Sequence, residues 1–356
     1  MSVLYILLAI LLLAILIVVH EFGHFMAARL MKIDVNEFSV GFGPKLLGWK
    51  SRKYETVFSI RAIPLGGYCS FYGEDDTKGI TKDDPRAFSN QNVWKRMFVI
   101  LMGPMMNFVL ALVVAMGYMW FIYGEPEQIN LHLQDTVADS PAAAAGLQKD
   151  DLITAIDGKT IIYDPESSSL ISDWKVGDDP VRMTVKRDGE TLEVSLMPEW
   201  NEKANKPQIG IVYNGEVVTT RPLGFGEGIT EAWDLCVSAG GAVIEGLRAL
   251  VTKPAEVLPQ TSGPVGIVQV VSDVTKTDGV SGYIWLMILI PVNLGLMNLL
   301  PIPGLDGSRL VFGLIEVVRR KPVPPEKEAM VHLAGMVLLF GFVIFITMKD
   351  IGLIQF

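Results

Sequence analysis

Four stretches of this chain contain no Asp, Glu, Lys or Arg: residues 3–19, 97–123, 279–305 and 329–348. Each approaches or exceeds the length a helix needs to cross a hydrocarbon core of about 30 Å. In lipid a backbone must satisfy its own hydrogen bonds, which restricts runs of this length to packed helices. The rest of the composition agrees, because only 19% of the residues are charged, below the roughly 25% of soluble proteins. The first run does not read as a removable signal peptide. No basic region precedes it, and no small-residue cleavage site follows.

Charge distribution sets an orientation. Residues 29–96 hold 12 Lys and Arg, and the short loop 319–327 holds four more. Residues 124–280 hold 25 acidic against 12 basic residues. Counting basic residues in short loops near the spans places the first and last loops in the cytoplasm. The acidic segment and both termini then face outward. Cys69 and Cys236 fall on opposite sides and are not expected to pair. With a net charge of −9, no nucleic-acid partner is expected.

Between the spans the pattern changes. From Tyr54 to Ile63 bulky and polar residues alternate, as in a strand, and "PLGG" marks a turn. The polar "DDTKGITKDDPRAFSN" (75–90) reads as loop. In the outer segment, "PAAAAGLQKDDLITAIDGKT" reads as helix, turn and strand, and "PVRMTVKRDGETLEVSLMP" as a hairpin with Asp188-Gly189 at its tip. Residues 216–278 read as an amphipathic connection.

The chemistry lies in "VVHEFGHFMAARL". His20 and His24 are one helical turn apart on one face, and Glu21 lies about 100° away from His20. Ionisable groups in an apolar span are expensive unless they are bound to something. Two His with an adjacent Glu match the H-E-x-x-H logic of zinc hydrolases: two neutral ligands and a general base. Satisfied histidines at a helix end are the plain alternative. A catalytic zinc wants a third protein ligand. His132 lies on the wrong side, and His332 has no ligand-like companion. Asp306, in "NLLPIPGLDGSRL", follows a Pro- and Gly-broken span end at the same membrane depth as the histidines. Its other reading is an N-cap for the next helix. Asn293 and Asn298, in the same span, can pair between helices or hold substrate backbone. No serine sits in a Gly-rich span with a partner histidine, no second intramembrane Asp exists for an aspartyl mechanism, and no inverted repeat suggests a transporter.

These motifs resemble the site-2 protease family of intramembrane zinc metalloproteases, in its bacterial regulator-of-sigma-E protease group. "GFGP", "IPLGGY", "GPMMNF" and "SGPVGIV" resemble its lesser signatures. The resemblance implies one zinc per chain on His20, His24 and Asp306, with Glu21 activating water and Asn298 positioning substrate or the oxyanion. It implies a membrane-reentrant hairpin at 54–74 that adds to an extended substrate, with Phe58, Ile60 and Ala62 on the receiving strand. "AAAAGLQKDDLITAIDGKTI" resembles a PDZ domain, except that Asp150-Asp151 stands where the family has Gly-Asp. The outer domain is expected to meet an exported protein or peptide, or to act as a size filter.

The expected fold is a mainly α membrane protein with four transmembrane helices, a membrane-associated β-hairpin and an inserted α+β PDZ-like domain. Its expected segments are 1–31 (first span), 32–96 (β region), 97–123 (second span), 125–215 (outer domain), 216–278 (connection), 279–305 (third span), 306–328 (Asp-Gly motif and loop) and 329–348 (fourth span). The expected activity is endopeptidase cleavage within single-span substrates in the bacterial inner membrane, such as anti-sigma factors or remnant signal peptides. The rival expectation is a non-catalytic membrane adaptor that presents the PDZ-like domain.

Overall fold

The computed structural model describes residues 3–74, 84–162, 171, 174–202 and 206–354; residues 75–83 of the expected polar loop lie outside them. In chain order the elements are α1 (Val3–Leu30), β1 (Val35–Lys50), β2 (Val57–Phe71), α2 (Val93–Phe121), β3 (Gly124–Thr136), α3 (Pro141–Ala144), β4 (Leu152–Ile156), β5 (Lys159–Ile162), β6 (Val181–Arg187), β7 (Glu190–Leu196), β8 (Glu199–Asn201), β9 (Lys206–Gln208), β10 (Ile211–Pro222), α4 (Phe225–Thr252), α5 (Pro254–Val257), α6 (Pro264–Leu299), α7 (Asp306–Arg319) and α8 (Pro325–Asp350). They fall into two compact units. One joins Met1–Ile122 to Gly226–Phe356, and the other is Tyr123–Phe225.

In the first unit α1 is apolar on every side, as a helix facing lipid must be. A narrow line of it is buried: Ala9, Leu12, Leu16, His20, Gly23, His24 and Ala27. Gly23 permits the closest approach, since a Cβ there would lie 2.2 Å from the Met102 carbonyl oxygen of α2. Above it Leu12 and Leu16 pack with Val271 and Leu286 of α6. Below it Ala27 and Ala28 pack with Ile33, Val35, Phe71 and Val99.

Among the described residues five helices, not the expected four, are long and apolar enough to cross a membrane: α1, α2, α4, α6 and α8. The additional one is α4. Its charged residues Glu231, Asp234, Glu245 and Arg248 interrupt any long uncharged run, but its length and composition still qualify. Exposed Phe225, Ile229, Trp233 and Val237 line it at four-residue spacing, an apolar stripe of the kind an interface-lying helix carries. The third expected span also begins and ends differently. α6 is two helical pieces that meet at Gly279, where φ is 61° and ψ −138°. It stops at Leu299, since Pro301 and Pro303 cannot continue the ladder.

β1 and β2 form one sheet whose strands double back. Residues 57–60 pair with 37–40 on one side and with 47–50 on the other, while 67–71 pair only with 35–40. The open edge near α1 is therefore Gly67–Phe71.

The second unit is a six-stranded sheet in the order β10-β3-β5-β4-β6-β7. Leu131, Leu133, Ile153, Met183 and Val185 are fully buried in its core. The Asp157-Gly158 and Asp188-Gly189 turns both have positive φ at each position, as tight hairpins require. Asp150 also has positive φ, 71°, a conformation that Gly adopts more readily than Asp. Asp151 is buried. Burial alone would raise its pKa, but the paired Arg187 guanidinium, 2.7 Å from each oxygen, and the Gln148 N–H hold it below the usual range.

Candidate metal centre

Helical geometry brings the His20 and His24 rings to 4.9 Å between centroids, with the two Nε2 atoms 3.3 Å apart. Each ring is held from behind by α2. His24 Nδ1 lies 3.0 Å from the Val99 carbonyl oxygen, which can only accept, so Nδ1 carries the proton. Gly103 makes this possible, because a Cβ there would stand 2.3 Å from the His24 ring. His20 Nδ1 lies 3.1 Å from the side-chain amide of Asn107, which is wholly buried within α2. The atom facing this ring nitrogen is Asn107 Nδ2, so Asn107 fixes the orientation of the His20 ring, the role that outer partners play for metal-ligating histidines. With Nδ1 carrying the proton, the His24 Nε2 lone pair is free.

Asp306 arrives from the opposite end of the sequence. After α6 ends, Gly304 turns the chain at φ 99°, and α7 starts at Asp306. Gly307 has to be glycine, since a Cβ would sit 2.2 Å from the Leu300 carbonyl oxygen. The Gly304 N–H donates to His332 Nδ1 of α8 at 3.3 Å. Ion pairs Arg309–Glu74 and Arg96–Glu316 tie α7 to the end of β2 and to α2. Leu305 is the N-cap of α7 and no side chain caps it, so the N-cap reading of Asp306 is overturned. The carboxylate instead turns to the histidines. Its Oδ2 is 3.1 Å from His20 Nε2 and 3.3 Å from His24 Nε2.

Three ligand atoms thus face one another, the two histidine Nε2 atoms and Asp306 Oδ2. Oδ2 has no hydrogen-bond donor among the described residues. A cation placed between them would be held by two imidazoles and a carboxylate at once. A tetrahedral zinc, with ligand atoms about 2.0–2.1 Å away, sets those atoms about 3.3 Å apart. The observed separations match that requirement, so these residues fit a zinc ion.

The family model for peptidase family M50 matches residues 8–342. The chain belongs to peptidase family M50. A Nostoc sp. protein described as a "putative zinc metalloprotease" is 35% identical over 96% of this chain and 94% of its own. A Clostridium perfringens protein with the same description is 33% identical over 98% of each. Zinc metalloprotease RasP of Oceanobacillus iheyensis is 30% identical over 96% of this chain and 97% of its own. Family and apolar helices together make this M50 peptidase a multi-pass membrane protein.

The remaining expected residues of this M50 chain are placed differently from one another. Glu21 is half-buried beside the cluster, and its Cγ would lie 3.2 Å from a Cβ at Gly67. The open sheet edge therefore passes directly over Glu21. Asn298 is half-buried and Asn293 exposed, and among the described residues no hydrogen bond ties either to the cluster. His332 holds the Asp306 loop and is not in the cluster, and His132 lies on β3 of the second unit. Cys69 and Cys236 are both free. The expectation that Phe58, Ile60 and Ala62 receive substrate requires correction. Phe58 and Ile60 are paired on both sides, and the Phe58 ring packs among Phe25, Phe38 and Trp49. Ala62 is exposed and follows them on β2, between Arg61, paired with Lys45, and Ile63, paired with Phe42.

Asn107 was not among the expected site residues, although "GPMMNF" contained it. The available signal was an amide in an uncharged span. Asn107→Leu keeps the volume and removes the hydrogen bond to His20. It is expected to weaken zinc affinity by about 10–100-fold, as measured by competition with a fluorescent chelator.

Proposed function

We propose that this M50 peptidase is a zinc-dependent intramembrane endopeptidase, with His20, His24 and Asp306 as the zinc ligands and Glu21 as the general base. The observation that carries the reading is the convergence of three ligand atoms, spaced for zinc, among helices of membrane-crossing length. Bound zinc would polarise the scissile carbonyl and acidify a water. Glu21 takes the proton from the attacking water and delivers it to the leaving amine. Val99 and Asn107 keep both imidazoles aimed inward throughout.

Glu21 lies beneath the open edge Gly67–Phe71, which supports a specific route for substrate. An unwound substrate segment adds to that edge through backbone hydrogen bonds, which lays its peptide bonds over Glu21. Gly67 keeps the approach close, since a Cβ there would also meet the Ser39 carbonyl oxygen at 2.8 Å. This reading places the substrate edge on the outer strand and not on the inner strand 57–63. Asn298 is retained as a group that positions the substrate near the end of α6.

The charge bias supports an inner-membrane protein in which α1, α2, the second half of α6, and α8 span while α4 lies on the outer surface. The termini and the PDZ-like second unit then face outward. The cleft of that unit, about 570 Å³, is lined by Asp139, Glu199, Trp200 and Glu202. Such a wall repels a free carboxylate terminus, which favours a size filter over capture of peptide ends. Substrates are then single-span proteins already shortened outside, such as anti-sigma factors or remnant signal peptides.

The test is cleavage of a single-span substrate by the full chain in lipid vesicles. Cleavage is expected within the span, to stop when a chelator strips the metal and to return with zinc at about one ion per chain. An intact substrate would favour the adaptor, as would cleavage that a chelator does not affect.

A further inference from the structure

Apart from the metal centre, the first unit carries an open cavity of about 860 Å³ beside the C-terminal end of α1. Its wall has two chemically distinct parts. Phe22, Met26 and Leu30 recur at four-residue spacing and so form one apolar stripe along α1. Phe22 and Leu30 are 44% and 64% exposed, so the stripe is not covered by the protein. At its end the wall becomes basic, with Arg29, Lys32 and Arg86 against Asp34 in the wall and Asp84 behind Arg86, an excess of one cation.

The basic groups are held in place. Arg29 stacks on Tyr54, 4.5 Å from the ring centroid, and its Nη1 is 3.4 Å from Asp34. Arg86 reaches the other Asp34 oxygen at 3.6 Å and is fixed by Asp84 at 2.8 Å. Lys32 makes no ion pair among the described residues and is exposed. Depth follows from the helix. Arg29 lies about 39 Å along α1 from Val3 at about 1.5 Å per residue, beyond a hydrocarbon core of about 30 Å. The basic end therefore stands at headgroup level with Leu30 beside it, and the stripe runs back from there through Met26 to Phe22, about 28 Å along the helix and within the acyl-chain layer.

We infer that this cavity binds an anionic phospholipid, with the phosphate between Arg29, Lys32 and Arg86 and an acyl chain along Phe22, Met26 and Leu30. Charge complementarity selects the occupant. A zwitterionic headgroup gains little from an excess of cations, and a free phosphate has no use for the stripe. A volume of this size is in the range of about 300–1,000 Å³ that encloses small ligands. Phe22 directly follows Glu21, so a bound lipid flanks the helix turn that carries the proposed base. The inference depends on the protein's being in a membrane and is independent of the peptidase reading, because binding is measured without substrate or cleavage.

The experiment is native mass spectrometry of the full detergent-purified chain equilibrated with phosphatidylglycerol or phosphatidylcholine. Phosphatidylglycerol should be retained at least tenfold better. Lys32→Glu and Arg86→Gln should each weaken its retention about fivefold or more, the factor that one basic group near a membrane surface supplies. Lys321→Glu, a basic residue of another loop, should leave retention unchanged. The inference is overturned if phosphatidylcholine is retained equally, or if Lys321→Glu costs as much as Lys32→Glu. It is also overturned if millimolar inorganic phosphate displaces the lipid, or if a single-span substrate peptide occupies the cavity in its place. Lys32→Glu alters an exposed side chain and serves as the variant whose folding is not at issue.

Discussion

Glu21→Gln is expected to keep its zinc and lose cleavage by about 10²–10⁴-fold, the usual contribution of a positioned general base. The substitution is nearly isosteric and preserves the close packing of Gly67 over residue 21. It removes only the ability to accept and return a proton. None of the three ligand atoms belongs to residue 21, so elemental analysis should still find about one zinc per chain. Cleavage of a reconstituted single-span substrate is the readout. Wild-type activity with zinc in place would sink the role assigned to Glu21. Loss of zinc together with activity would instead show Glu21 to be part of the ligand set.

Asp306→Asn is expected to lose zinc and activity together. An amide is neutral and a poor zinc ligand, so the loss should exceed the about 10–100-fold that outer-shell changes cost. The supports of the loop are backbone ones, the Gly304 N–H to His332 and the close contact at Gly307, and the variant leaves them alone. Added zinc should raise the melting temperature of wild type only, since a ligand that binds the native state stabilises it by mass action. A variant that keeps zinc through dialysis against a chelator would remove Asp306 from the centre.

The sequence and the structure differ most at the substrate edge and at α4. Alternation at 54–63 marked a strand that begins three residues later, at Val57, but alternation says nothing about how many neighbours a strand has. The doubled pairing of residues 57–60 comes from β1 folding back across β2. That is a tertiary choice, and it moves the open edge to Gly67–Phe71. For α4, a charge-free window and a test of length and composition give different answers. Its apolar residues lie on one side and its charges are spread along it, so a linear count and a helical projection give different answers. Asn107 shows the limit from the other direction. An amide in an apolar span signals a buried partner without naming it, and only the crossing of α1 and α2 at Gly23 and Gly103 identifies that partner as His20.

By itself the sequence determined the residue types and the local geometry of half the centre. Helical periodicity puts His20 and His24 on one face at any tertiary arrangement, and the cost of ionisable groups in lipid requires that something bind them. It also determined where chains of apolar residues must become helices, because lipid offers no other partner for the backbone. Only the tertiary structure decided that Asp306 meets the histidines at 3.1 and 3.3 Å. It also decided that Val99 and Asn107 hold the two rings from behind, and that Gly67 rather than Ile60 borders Glu21. Each of these depends on which helix faces which across the unit, and backbone carbonyls and glycine gaps set that outcome without leaving a periodic trace in the sequence.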